Sequence, residues 1–135
     1  MTPAQIESKM MAQDAFSQWL GIQLVAIGPG NCTLCMQVRA EMLNGFGVAH
    51  GGISFSLADS AFAFACNSQG RHTVSIHCTI EHLAPVQEGD MLTATAVEDH
   101  LGHTISNYSI RVSNQNNDLV AVFRGVAYRK KQEWT

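Results

Sequence analysis

A single carboxylate lies inside the most apolar segment of the chain. Asp59 is the only residue with a formal charge at pH 7 between Glu41 and Arg71, and it falls within the apolar run 53–66. Aspartate is a poor helix former and is rarely buried without a partner, so its presence there costs stability. A function for the carboxylate would explain that cost. The alternative is that it faces water on a polar helical stripe, which would contain Ser56, Asp59, Ser60 and Asn67.

A glycine-rich turn, NGFGVAHGG at residues 44–52, comes directly before this apolar run. Glycines at the start of a helix expose main-chain N–H groups, and the helix dipole adds partial positive charge there. Such a site suits a phosphate or a developing oxyanion. The third glycine of a GxGxxG dinucleotide motif would fall on His50, and no Lys-Ser or Lys-Thr pair follows as in a P-loop. The turn therefore favours oxyanion stabilisation at Gly51.

The spacing of the turn and the carboxylate limits how they can cooperate. Gly51 and Asp59 are eight residues apart, which along a helix separates their backbones by roughly 12 Å. The carboxylate of one chain therefore cannot act on a carbonyl group held at its own Gly51. A two-fold dimer with antiparallel helices would place Asp59 of one subunit opposite Gly51 of the other. We expect function to require that dimer.

Other metal-binding or redox patterns are weak. Cys32 and Cys35 form a CTLC motif within an alternating segment, and residues three apart on a strand point to opposite faces. His77 and His82 are five apart on one expected strand and also face opposite sides. No further pair of ligands completes a zinc site. The sequence therefore predicts no metal site and no cofactor.

Apolar periodicity predicts one helix, two strands, a long apolar helix and four more strands. The first helix begins with a capping box at Thr2 and Gln5, with Pro3 at its first position, and ends at Gly21. The long helix is expected at 52–68, ending at Gly70, and the strands at about 22–27, 32–40, 72–83, 90–100, 103–114 and 119–130.

The links between these elements predict how they are arranged. The first two strands form a hairpin, and the short links between the last four favour an antiparallel meander, because parallel crossovers need a dozen or more residues. We expect one α+β domain, residues 1–135, in which a curved antiparallel sheet wraps around the buried long helix.

Composition excludes several classes of partner. The 135 residues are 46% hydrophobic and 14% charged, with a net charge of −3 and a pI near 6.0, so no positive field attracts nucleic acid. The low charged fraction suggests that another subunit covers part of the surface. The N-terminus has no continuous apolar centre of a signal peptide, and the longest apolar run is too short to span a bilayer. With only four cysteines and no secretory context, we expect a cytoplasmic protein with reduced thiols and no membrane partner.

The segment MLNGFGVAHGGISFSLADSAFAFACNSQG resembles the hotdog-fold acyl-CoA thioesterases, and among them the group that serves bacterial phenylacetyl-CoA degradation. The most specific part is Asn-x5-His-Gly-Gly-x6-Asp, which comprises Asn44, His50, Gly51, Gly52 and Asp59. The likeness continues through CTIEHLAP, GDMLTATA and FRG to nearly the end of the chain. It implies a hotdog fold, in which an antiparallel sheet wraps a long helix, with an additional N-terminal helix.

The resemblance also implies roles for the residues of the motif. The Gly51 amide would hold the carbonyl oxygen of an acyl-CoA thioester, and Asp59 of the partner subunit would act as general base or nucleophile. Partial desolvation would raise the pKa of Asp59 while leaving it ionised at neutral pH. Asn44 would fix the loop and assist at the carbonyl group or the water, and His50 would support the loop and Gly51.

Further site residues follow from the same resemblance. Ser75, on the strand after the long helix, is the match for a hydroxyl that helps to place the water in some relatives. Gly52 and Phe55 would contact the substrate, whose acyl group would be aryl-acetyl, ring-hydroxylated phenylacetyl or medium aliphatic. Arg124 and Lys130 are candidates for binding the CoA nucleotide across a subunit boundary, the alternative being ordinary solvated strand ends. Relatives of this kind pair their dimers into homotetramers.

Two other functions remain open from the sequence. A hotdog hydratase or dehydratase would use an acid and a base together on an acyl thioester, and His50 and Asp59 could converge in that way across a dimer. A non-catalytic acyl-CoA-sensing module would need an attached output domain, for which 135 residues leave no room. The Asn-x5-His-Gly-Gly pattern favours hydrolysis.

Overall fold

The N-terminal segment forms two helices rather than one. The computed structural model describes all 135 residues, and it contains α1 (Pro3–Met11) and α2 (Ala15–Leu20). The predicted capping box at Thr2 is confirmed, and Gly21 ends α2 with a left-handed φ of 73°. The prediction of a single helix up to Gly21 was wrong, because the Asp14 carboxylate accepts a hydrogen bond from the Ser17 N–H and so caps a second helix.

Six strands and the long helix make up the rest of the chain. They are β1 (Gln23–Gly28), β2 (Asn31–Gln37), α3 (Gly51–Asn67), β3 (Arg71–His82), β4 (Met91–Leu101), β5 (Ile105–Ser113) and β6 (Leu119–Glu133). The β1–β2 hairpin is confirmed. Strand β2 ends three residues before the predicted Ala40, because the chain turns into a short 3-10 helix, Ala40–Met42. Arg39 lies just before this turn, and its guanidinium donates to the carbonyls of Trp19 and Leu20.

The strands form one antiparallel sheet in the order β1-β2-β4-β5-β6-β3. The predicted meander is confirmed for β4, β5 and β6, but it was wrong for β3, which pairs with β6 at the sheet edge. The link between β3 and β4, residues 83–90, can reach up to roughly 27 Å. Three strand spacings need only about 14 Å. A short link therefore does not force its two strands to be neighbours.

Helix α3 packs on the inner face of the curved sheet and supplies much of the core. Its buried face includes several small residues, Ala58, Ala61 and Ala65, which let the sheet approach closely. Phe62 packs against the rings of Tyr108 and Phe123. Gly125 on β6 is needed at this contact, because a Cβ there would lie 2.7 Å from the Phe62 ring. The sheet and the core thus fix the direction and depth of α3.

None of the helices has both the length and the apolar character that a membrane span needs.

Candidate active site

The first turn of α3 presents a main-chain donor that has no partner. His50 is the N-cap residue in extended conformation, and its Nδ1 accepts the Gly52 N–H at 2.8 Å. The Ile53 N–H donates to the His50 carbonyl. The Gly51 N–H donates to no protein acceptor. Since Gly52 is already engaged, Gly51 is the free donor at the positive end of the helix dipole.

The hydrogen bond at His50 also indicates the tautomer of its imidazole ring. An imidazole nitrogen that accepts an N–H must have a free lone pair, so the proton of neutral His50 lies on Nε2. A Cβ at position 52 would lie 2.9 Å from this Nδ1, which accounts for the glycine there. His50 therefore holds the Gly52 amide at the start of α3.

The loop before α3 closes on itself through Asn44. The Asn44 Oδ1 accepts the Phe46 N–H at 2.9 Å, and the Asn44 N–H donates to the Val48 carbonyl at 2.7 Å. Gly47 has a φ of 77°, a conformation that favours glycine. The His50 N–H then donates to the Met42 carbonyl at 2.8 Å. Asn44 thus holds the turn that delivers Gly51 to the helix terminus.

A second histidine, His82, lies against Gly51, and the sequence pattern predicted no catalytic role for it. A Cβ at Gly51 would lie 3.0 Å from His82 Nε2, so a larger residue would displace the imidazole. Gly51 and His82 line an open pocket of about 420 Å³ together with Ser54 and Pro85. The sequence pattern that could have predicted this contact is strand alternation. His82 shares a strand face with Cys78 and Ile80, and these two residues pack against the core.

Asp59 lies in the middle of α3 and is half-buried in a second pocket. This Asp59 pocket has a volume of about 190 Å³ and is lined by α2 and α3, including Asp14, Phe16, Phe55 and Ser60. Burial raises the pKa of the Asp59 carboxyl above its ordinary value, and the negative charge of Asp14 raises it further. This is the direction predicted from the sequence. The alternative of a fully solvated stripe does not hold, since Asn67 is buried.

Of two further predicted residues, Phe55 lies beside Asp59 and Ser75 contacts Cys78 on β3. Phe55 packs edge-on against Phe123 with ring centroids 5.2 Å apart, and it forms a wall of the Asp59 pocket. The Ser75 hydroxyl lies 3.0 Å from Cys78 Sγ. The Asp59 charge contributes to the raised pKa of Cys78, behind the larger effect of burial. Ser75 is therefore a neighbour of Cys78 and does not line the Asp59 pocket within one chain.

Arg124 and Lys130 lie apart from this region within one chain. Arg124 follows Phe123, which is buried against α3, so its side chain points to the outer face of the sheet. It lies 3.7 Å from Asp99 and lines an outer groove of about 310 Å³ together with Thr79, Ser109 and other residues. Lys130 is exposed near the end of β6. Neither cation converges on Asp59.

The arrangement combines a free oxyanion donor with a partly desolvated carboxylate. Helix α3 runs without a break through Gly51 and Asp59, so the two are held roughly 12 Å apart along its axis. A donor for a carbonyl oxygen and a base for water are the parts needed to hydrolyse an activated acyl compound. No group of three or more His, Cys, Asp or Glu residues is arranged to hold a metal ion.

The fold and the site define the class of the protein. Residues 46–121 match the family model of the thioesterase superfamily. The chain belongs to that superfamily, and its sheet and helices form the hotdog fold.

Individual proteins within this superfamily are similar to the chain. The chain is 47% identical to the acyl-coenzyme A thioesterase PaaI of Escherichia coli over 120 residues, which cover 89% of this chain and 86% of the relative. The structure of the E. coli PaaI protein, from the phenylacetic acid degradation operon, superposes with a TM-score of 0.96 at 44% identity, covering 98% of this chain and 96% of that chain. A thioesterase protein with coenzyme A from Streptococcus pneumoniae superposes with a TM-score of 0.87 at 25% identity, over 93% and 98% of the two chains.

Proposed function

We propose that this protein is an acyl-CoA thioesterase that hydrolyses (hydroxy)phenylacetyl-CoA or related thioesters to the free acid and CoA. The observation that carries the proposal is the unpartnered Gly51 N–H on the same rigid helix as the half-buried Asp59. The relative PaaI, an acyl-coenzyme A thioesterase whose structure is described as coming from a phenylacetic acid degradation operon, supports the class of substrate.

The reaction follows from these two groups. The thioester carbonyl oxygen accepts the Gly51 N–H, and ionised Asp59 of the partner subunit takes a proton from water as the water oxygen attacks the carbonyl carbon. The carbonyl π electrons move onto oxygen and then return, breaking the C–S bond. The departing CoA thiolate receives the proton from Asp59. In the nucleophilic variant Asp59 attacks the carbonyl carbon itself, and water then hydrolyses the resulting anhydride.

The dimer that this chemistry needs is supported by an unpaired sheet edge. Strand β3 is twelve residues long and pairs only with β6, so its outer side leaves main-chain donors and acceptors free. Val74 and Ile76 are apolar and exposed on this edge strand, at 42% and 56%. Pairing of two β3 strands across a two-fold axis would extend the sheet and bring two α3 helices side by side and antiparallel.

We propose that such dimers associate into homotetramers. Further exposed apolar side chains lie on β1 and on the β4–β5 hairpin: Leu24, Val25, Val97, Leu101 and Ile105. Apolar side chains exposed in this way favour burial against a second dimer. The four cysteines are free, as expected in the reducing cytoplasm, which is the location we propose.

The remaining site residues bind the two ends of the substrate. Phe55 forms an apolar wall for the acyl group beside Asp59, and Gly52, the exposed neighbour of Gly51, contacts the substrate. Ser75 helps to place the attacking water. The outer groove of Arg124, with Lys130, offers positive charge to the CoA phosphates of a neighbouring subunit's substrate.

Release of free thiol from a panel of acyl-CoAs tests the proposal. The panel contains phenylacetyl-, hydroxyphenylacetyl- and straight-chain acyl-CoAs, assayed with the wild type, Asp59→Asn and the exposed control Asp118→Asn. We expect Asp59→Asn to lose about 100-fold or more in kcat with the fold intact, and Asp118→Asn to match the wild type. Full activity of Asp59→Asn would contradict the catalytic assignment. Failure of the wild type to hydrolyse any thioester would favour a sensing module or a hydratase.

A further inference from the structure

The break between α1 and α2 places a second carboxylate in the Asp59 pocket. Asp14 and Asp59 both line this pocket, one from the start of α2 and the other from the middle of α3. The Asp14 carboxylate accepts the Ser17 N–H at 2.9 Å and the Ser17 hydroxyl at 2.7 Å. It makes no ion pair. Two hydrogen bonds therefore fix an uncompensated negative charge near the candidate catalytic residue.

Ser17 connects Asp14 to the residue that follows Asp59. The hydroxyl oxygens of Ser17 and Ser60 are 2.8 Å apart, and Ser17 is only 1% exposed. Since the Ser17 hydroxyl gives its hydrogen to Asp14, Ser60 must be the donor in the Ser17–Ser60 pair. The Ser60 hydrogen is then directed at Ser17 and is not available to Asp59. The Asp59 carboxylate thus stays free to accept from water.

Asp14 is also the only charged group whose field shifts the pKa of Asp59 within the chain. The pocket is lined by no Lys, Arg or His. Cys78 from β3 and Cys66 from further along α3 both interact with the Asp59 charge, and burial is the main cause that raises the pKa of each thiol, so both are neutral near pH 7. In the proposed dimer, the partner's helix N-terminus also faces Asp59, with His50 and His82 beside it.

We propose that Asp14 is a positioning residue for the hydrolysis: it orients Ser17 and Ser60 and keeps a second negative charge beside the Asp59 carboxylate. This inference rests on the proposed role of Asp59. A neighbouring negative charge makes a carboxylate more basic, and a more basic carboxylate takes a proton from water more readily. Asp14 therefore makes Asp59 a stronger base, and it also lowers the fraction of Asp59 that is ionised at acidic pH.

The pH dependence of kcat/KM for phenylacetyl-CoA tests this proposal. Asp14→Asn removes the charge but keeps an N-cap residue of equal quality, so α2 is retained. Asp118→Asn, in the distant turn between β5 and β6, is the matched control for the change in net charge. We expect Asp14→Asn to move the acid limb of the profile to lower pH and to lower the plateau about three- to tenfold, and Asp118→Asn to leave both unchanged.

Ser17→Ala separates the charge from the hydroxyl contacts. It breaks the link to Ser60 but leaves the Asp14 charge in place, so we expect a lower plateau and an acid limb that moves less than in Asp14→Asn. An Asp14→Asn profile that superimposes on the wild type would overturn the proposal, as would an acid limb that moves equally in Ser17→Ala. If Asp14→Asn does not fold, Asp14→Ser, which is also a neutral N-cap, gives the same readout.

The same data distinguish this proposal from the proposed function. If Asp59→Asn is as active as the wild type, both proposals fail. If Asp59→Asn is inactive while Asp14→Asn keeps the wild-type profile, only the role of Asp14 fails.

Discussion

The two ends of α3 differ in whether their polar groups have hydrogen-bond partners within the chain. At the N-terminal end the Gly51 N–H has no acceptor in the chain, and the His82 side chain lies against Gly51. At the C-terminal end the Asn67 side chain makes four hydrogen bonds of 2.9 to 3.0 Å, to Ala63, Thr73 and Trp134. The N-terminal end therefore has a donor free to bind a ligand, and the polar groups at the C-terminal end are satisfied within the chain.

This difference suggests that the N-terminal end of α3 serves function and the C-terminal end serves stability. An unsatisfied donor at a helix terminus costs stability that a ligand oxygen can restore. A buried amide with every partner in place holds α3 against β3 and the end of the chain instead. We therefore expect substitutions at the N-terminal end to reduce turnover with little effect on folding, and substitutions at the C-terminal end to do the reverse.

The largest effect is expected at the N-terminal end, for Gly51→Val. The side chain would cover the approach to the free N–H and displace His82, whose Nε2 lies 3.0 Å from the position of a Cβ. We expect kcat to fall about 100-fold with an unchanged circular dichroism spectrum. Gly45→Ala is the control in the same loop, because no atom lies within 4 Å of a Cβ there. Wild-type turnover of Gly51→Val would remove Gly51 from the site.

The C-terminal end should respond in stability. Asn67→Ala removes the partners of the Thr73 N–H and carbonyl and of the Trp134 indole N–H, so we expect the free energy of unfolding to fall by about 2–4 kcal/mol. Turnover per folded molecule should stay within about twofold of the wild type. Urea denaturation measures the first quantity. The exposed Asn116→Ala should change stability by less than about 0.5 kcal/mol, and a similar loss there would contradict the contrast between the ends.

The smallest effect concerns Asp59 and the pH dependence of stability. The folded-state pKa of Asp59 lies above its unfolded value, so the folded state binds more protons and stability falls as pH rises between the two values. That loss is complete above the folded pKa and is absent in Asp59→Asn. We expect Asp59→Asn to have a Tm above that of the wild type at pH 7 by a few degrees at most, and the difference to shrink in acid. A lower Tm at pH 7 would contradict a destabilised carboxylate.

Local patterns were enough to predict much of the local geometry of the candidate site. The apolar periodicity gave α3, the glycines gave its open start, and the isolated charge marked Asp59. The spacing of Gly51 and Asp59 then indicated two subunits. Each of these features depends on residues that are neighbours in sequence.

The features that the sequence did not predict depend on contacts between distant segments or on competing local signals. The apolar residues continue at helical spacing across Asp14, so the periodicity concealed the capping signal that breaks the N-terminal helix. The contact of His82 with Gly51 and the pairing of β3 with β6 join residues far apart in the chain. Sequence alternation shows which strand residues share a face, but not which neighbour that face will meet.

The most direct test of a shared active site is turnover by mixed dimers. Asp59→Asn and Gly51→Val chains are co-expressed with different tags, and dimers that carry both tags are purified. A mixed dimer contains one intact site, with Gly51 from the first chain and Asp59 from the second, so we predict about half of the wild-type kcat per dimer. Mixed dimers as inactive as the two parent variants would contradict a site built from two subunits.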